Sequence, residues 1–101
     1  MIARVVFLQA KPGKKEEGAR LWDNDVAPLL QKQKGFYRAF RVEDPDSPEG
    51  LVVEFWESNE AEETWRKSKE REELSRKLHA TVSELKVNRP FELVKEVEGQ
   101  V

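Results

Sequence analysis

Two apolar stripes in the stretch from Leu51 to Leu85 run out of phase, which rules out a single long helix there. Ala61, Trp65 and Ser68 mark one inner face, and Leu74, Leu78, Val82 and Leu85 mark the next. Nine residues separate Trp65 from Leu74. At about 100° per residue that spacing is half a turn off, so one straight helix cannot bury both. The pattern predicts a strand over Leu51–Trp56, a helix carrying Trp65, a break near Ser68–Glu70, and a second helix running toward Leu85. Asn59 with Glu62 three residues on resembles a capping box, with Ser58 as a competing cap. Ser68 is the expected cap of the second helix, with Glu70, Glu72 and Glu73 in its first turn.

Ile2–Ala10 and Phe36–Glu43 are rich in strand formers and read as the first two strands. Lys11-Pro12-Gly13 ends the first. Between them, Lys14–Gln33 has helical period, with Ala19, Trp22, Val26, Leu29 and Leu30 on one stripe. Pro28 removes a backbone donor and disfavours helix at Ala27, so a kink or early end is expected there. Gly35 supplies the stop. The segment Asp44–Gly50 holds no apolar side chain and reads as an exposed connection. Asn88-Arg89-Pro90 reads as a turn, and Phe91, Leu93, Val94 and Val97 as the fourth strand.

Strand, helix, strand, strand, helix pair, strand is the ferredoxin-like α+β order: a four-stranded antiparallel sheet with helices on one face. The strands carry apolar residues on both faces. In the first, Ile2, Val6 and Leu8 oppose Ala3, Val5 and Phe7. Helices cover one face only, so a second copy of the sheet is the simplest cover for the other. The 101 residues are expected to form one domain, 1–101.

Composition narrows the function classes. Charged residues make up 38%, yet the formal net charge is −2, so no one-signed field points to nucleic acid or an anionic membrane. No cysteine is present, which removes disulfide frameworks and thiolate metal sites. With one histidine, a metal site is not expected. No run approaches the roughly 18 apolar residues of a membrane span, and no charged-then-apolar leader opens the chain, so a cytoplasmic protein is the expectation. Abundant Glu, Lys and Arg with a single Met also fit a heat-adapted source.

Lys11-Pro12-Gly13-Lys14, Trp22, Val26-Ala27-Pro28-Leu29 and Lys34-Gly35-Phe36-Tyr37, followed by Phe55-Trp56-Glu57-Ser58, Trp65 and Ser68, resemble the antibiotic biosynthesis monooxygenase family in order and spacing. The resemblance spans roughly Ile2 to Val97. It implies a dimeric α+β barrel with a pocket between each sheet and its helices. It also implies a cofactor-independent monooxygenase acting on an aromatic, quinol-like or polyketide-like molecule. The wider superfamily includes haem-degrading enzymes, which carry an Asn in the first strand, a Trp after the third, and an axial His about ten residues beyond that Trp. Trp65 matches the second feature. The first strand offers Arg4, Val5 and Val6 instead of Asn, and His79 lies one helical turn past the expected position, where Ser75 stands.

Trp22, Phe36, Trp56 and Trp65 are the candidate substrate-binding residues; the same side chains would equally serve as core and dimer packing. Tyr37, Arg38 and His79 are the polar candidates for catalysis. His79 is also the haem ligand of the alternative reading, and otherwise an ordinary helix histidine. Arg4, Arg38, Arg41 and Glu54 are charges inside strands. A strand Arg aimed into a pocket would hold a phenolate or carboxylate, and otherwise such charges form ion pairs at the dimer face or an edge strand. The expected partners are a second copy through the sheet face and a small aromatic molecule. A third reading is a non-enzymatic dimeric ligand-binding module with a packed interior.

Overall fold

The computed structural model describes residues 1–87 and 89–101, with the side chains of 84–87 outside the description. The chain runs β1 (Ile2–Ala10), α1 (Lys15–Leu21), a π-helical turn (Trp22–Val26), α2 (Ala27–Gln31), β2 (Phe36–Glu43) and β3 (Glu49–Trp56). It continues through α3 (Asn59–Arg66), α4 (Lys69–Leu78), β4 (Val82–Val87) and a two-residue β5 (Phe91–Glu92). The strand order is β2-β3-β1-β4, with β5 pairing the start of β1, and β1 is antiparallel to β3, β4 and β5. This is the expected ferredoxin-like α+β arrangement, and within one chain the sheet is open.

Register decides which side chains meet the helices. Val52, Glu54 and Trp56 of β3 point to the helix layer, and Arg4 and Val6 of β1 stand opposite Glu54 and Val52 on the same face. Trp56 is fully buried, and with Val26, Leu30, Trp65 and Leu74 it forms the core. Phe36 meets Trp56 edge-on at 5.2 Å, and Trp65 stacks over Trp56 at 6.3 Å. The opposite face carries Phe7, Phe40, Val42 and Phe91, all exposed in the single chain.

The phase slip is resolved as expected. Ser68 has extended backbone, its Oγ accepts from Arg71 N at 3.1 Å, and α4 starts afresh. Ser58, rather than Asn59, caps α3, accepting from Ala61 N at 3.2 Å. Glu62 plays no capping role. It is 1% exposed and ion-paired with Arg4 at 2.5 Å.

Three expectations are corrected. The helix interruption begins at Trp22, ahead of Pro28, as a π-turn closed by Ala27 N–H on the Trp22 carbonyl. Pro28 cannot donate to the carbonyl four residues back and its ring crowds it, so the preceding turn widens. β3 starts at Glu49 instead of Leu51, because Glu49 and Gly50 already pair with Gln9 and Leu8. α4 stops at Leu78, and Val82 and Leu85 belong to β4, so the fourth strand precedes Phe91. The apolar positions there fit either a helix or a strand period, and sheet pairing with β1 selects the strand. The turn expected at Asn88-Arg89-Pro90 includes Asn88, which lies outside the described residues.

Gly35 joins the layers. Its φ of +84° favours glycine, and a Cβ there would come within 2.6 Å of Ala61 Cβ. The close approach seats the start of α3 against the turn into β2.

The Arg4–Glu62 pair is buried on both sides, with side-chain exposures of 10% and 1%. Removing Arg4 leaves the buried Glu62 carboxylate with only the exposed Arg66 beside it, at 3.3 Å. Arg4→Met is therefore expected to destabilise the chain by about 3 kcal/mol in urea unfolding. Arg4→Met combined with Glu62→Leu should recover most of that loss, as measured by the same transition.

Candidate functional site

Trp22 is the side chain around which the space between the layers is organised. It sits at the start of the π-turn, and Arg41 of β2 lies over its ring at 5.4 Å. On one side is a small cavity of about 50 Å³ lined by Leu8, Gly18, Trp22, Arg41, Leu78 and Thr81, among others. On another is a cavity of about 40 Å³ lined by Val6, Trp22, Glu54, Trp65, Arg71 and Leu74, among others. Leu8, Trp22, Leu78 and Val82 border both. Trp22 also walls an open cleft of about 570 Å³ at the β2 edge, lined by Leu30, Phe36, Tyr37 and Arg38.

Of the candidate residues, Trp22 and Trp65 reach the inner cavities, and Phe36, Tyr37 and Arg38 reach the outer cleft. Arg38 packs over the rings of Tyr37 at 5.1 Å and Phe40 at 5.8 Å. Trp56 lies beneath Trp65 with no exposed surface, as core. His79 ends α4 as its C-terminal cap, exposed, and lines none of these three spaces. Among the described residues no cluster of His, Cys, Asp and Glu has the grouping of a metal site.

The polar groups of the inner cavity are Glu54 and Arg71. Glu54 points inward because β3 alternates Val52, Glu54 and Trp56 toward the helices. Its Oε1 accepts from Trp56 Nε1 at 3.1 Å. Burial pushes the Glu54 carboxyl above its ordinary value. The Trp56 hydrogen bond and the charges of Arg71 and Arg4 oppose that rise, and Glu62 adds to it. Arg71 donates to Ser75 Oγ, and burial lowers its guanidinium from the ordinary range, against the attraction of Glu54. Arg4 and Glu54 thus stand on inner strands and face the helix layer instead of lying on an edge strand, and Arg4 forms its ion pair with Glu62 of α3.

Arg71 is a site residue that the sequence patterns conceal. Its signal was present, since Arg71, Leu74 and Leu78 fall at i, i+3 and i+7 on the inner stripe of α4. A charge at that position is surrounded by helix residues of the Glu/Lys/Arg-rich solvated face, which hid it.

No described helix is long and apolar enough to cross a membrane. No curated protein matches the sequence. Among solved structures, the chain is similar to a Deinococcus radiodurans protein assigned to antibiotic biosynthesis monooxygenases, at TM-score 0.83 and 19% identity, with 99% of each chain covered. It is similar to SnoaB, a cofactor-independent oxygenase from Streptomyces nogalater, at TM-score 0.82 and 14% identity, covering 97% of each. PA3566 of Pseudomonas aeruginosa superposes with TM-score 0.74 at 21% identity, over 93% of this chain and 94% of that one. These identities establish a shared fold. The sequence model for antibiotic biosynthesis monooxygenases matches residues 1–84, the whole of the chain from β1 into β4. The chain belongs to the antibiotic biosynthesis monooxygenase family.

Proposed function

We propose that this protein is a cofactor-independent monooxygenase acting on a small aromatic, quinol-like or polyketide-like molecule. The observation that carries the reading is the apolar space between sheet and helices, walled by Trp22 and Trp65, in a chain of this family. An electron-rich bound substrate supplies the electrons that dioxygen needs. For an activated ring methylene, the CH₂ carbon is oxidised to a carbonyl, one oxygen atom of O₂ enters the product and the other leaves as water. The protein's part is to hold the ring, exclude bulk water and set the substrate's ionisation state. SnoaB, whose fold this chain shares, is named a cofactor-independent oxygenase, which supports a reaction without a bound cofactor.

The inner cavities hold about 50 and 40 Å³, enough for a water or two but not for a ring. A substrate therefore enters when Trp22 swings from the wall that it forms between these cavities and the outer cleft. Trp22→Ala removes that wall. A naphthol-sized fluorescent probe is expected to bind the variant at least about tenfold tighter in titration; unchanged affinity would place binding elsewhere.

The functional unit in this reading is a homodimer with two sheets packed face to face. Phe7, Phe40, Val42 and Phe91 lie exposed on one continuous sheet face with Val5, Val53 and Phe55 half-buried among them. An apolar face of that extent marks an interaction surface, and an isologous pair of sheets covers both copies at once. Light scattering at micromolar concentration should give twice the chain mass, and Phe40→Lys should give the monomer.

The activity itself is tested with an oxygen electrode. Anthrone and small hydroquinones are expected to drive oxygen uptake by the purified, metal-free protein, with chelator having no effect. Absence of uptake across the panel would overturn the reading.

A further inference from the structure

Glu54 and Arg71 come from different layers, the sheet and α4, and line the same apolar cavity without forming an ion pair with each other. Opposite charges so placed in a low-dielectric space would gain strongly from direct contact. Each is instead held by a partner of its own. Trp56 Nε1 ties one oxygen of Glu54, and Ser75 Oγ takes a donor of Arg71. The second oxygen of Glu54 accepts no hydrogen bond among the described residues. Arg4, the strand neighbour opposite Glu54, is engaged by Glu62, which also meets Arg66 at 3.3 Å. The neighbouring strand β2 presents Ala39 opposite Glu54, which brings no charge. A carboxylate and a guanidinium are therefore left facing one cavity, beside the ring of Trp65.

Resting on the monooxygenase reading, we propose that Glu54 is the general base and Arg71 the anion holder of this site, and that the substrate is a phenol or enol. A hydroxyl seated between them donates to the free oxygen of Glu54 and accepts from Arg71. In the step itself the substrate O–H bond breaks and its proton goes to the Glu54 carboxylate. Both bonding electrons stay on the substrate oxygen, whose new charge pairs with Arg71. The cavity holds one negative and one positive charge before and after, so the transfer needs no counter-ion to enter. No electron changes hands in this step; dioxygen oxidises the resulting anion afterwards. The apolar surroundings that raise the carboxyl also make its carboxylate a stronger base toward a weak acid.

Two measurements test the assignment separately from the reading on which it rests. The first is binding of 4-nitrophenol, whose ionised form has its own absorption band. Wild-type protein is expected to lower the pH at which the bound probe ionises. Arg71→Gln should weaken binding of the ionised probe at least tenfold, while Glu54→Gln, which keeps the hydrogen bond from Trp56, should retain it. The second is oxygen uptake with anthrone. Glu54→Gln is expected to lower kcat/KM by about 10²–10⁴-fold and to remove the acid limb of the pH profile. Near-UV circular dichroism of the tryptophans confirms that each variant is folded. Glu54→Gln within threefold of wild-type uptake, or a probe indifferent to Arg71, overturns the assignment and leaves the monooxygenase reading standing. Arg71-dependent phenolate binding in a protein that consumes no oxygen supports the anion site and puts the failure in the monooxygenase reading.

Discussion

Arg4 of the central strand and Glu62 of α3 are 58 residues apart in sequence and 2.5 Å apart in the fold, both buried. The pair fixes where α3 crosses the sheet, and much else follows from that crossing. Trp65, three residues after Glu62, falls over Trp56; the stacked pair then forms the floor of the core. Glu62 also engages the charge of Arg4 beside Glu54, and among the described residues Arg71 is the other charged side chain that lines the cavity. Buried ion pairs add little net stability when compared with well-packed apolar residues. Here the pair links the central strand directly to α3 across the two layers.

The helix layer is discontinuous at two places, and residues at or beside each, Trp22 at one and Trp65 and Arg71 at the other, line the cavity. At Ser68 the break lets Trp65 and Leu74 face inward together, which one straight helix forbids. At Trp22 the π-turn adds width to the first helix and turns a large ring into the space between the layers. π-turns of this kind are found often at functional positions.

Local rules read much of this from the sequence. Ser68 was legible because two stripes half a turn apart leave no other solution, and Gly35 because a positive φ ends a helix. Val82 was not, since Leu74, Leu78 and Val82 continue a helical stripe as well as they begin a strand, and only pairing with Ala10 decides. Glu62 misleads for a related reason. Its spacing from Asn59 is that of a capping residue, and no local rule links it to an arginine in the first strand. Of the site, the tryptophans could be read as large apolar side chains at inward positions. Glu54 stood out as a charge inside a strand, but its meeting with Arg71 on one cavity could not be read, because it requires the packing of a strand on a helix that follows a break.

The hydrogen bond from Trp56 Nε1 to Glu54 gives the cavity an optical handle. An indole N–H bound to a carboxylate differs in its electronic environment from one bound to a neutral carboxylic acid. Trp56 is fully enclosed, so bulk solvent contributes nothing to its spectrum. Its absorption and emission therefore respond to the protonation state of Glu54, alongside the fixed contacts with Trp65 and Phe36. The interior of this protein carries its own indicator dye, positioned where the chemistry of the cavity would first be felt.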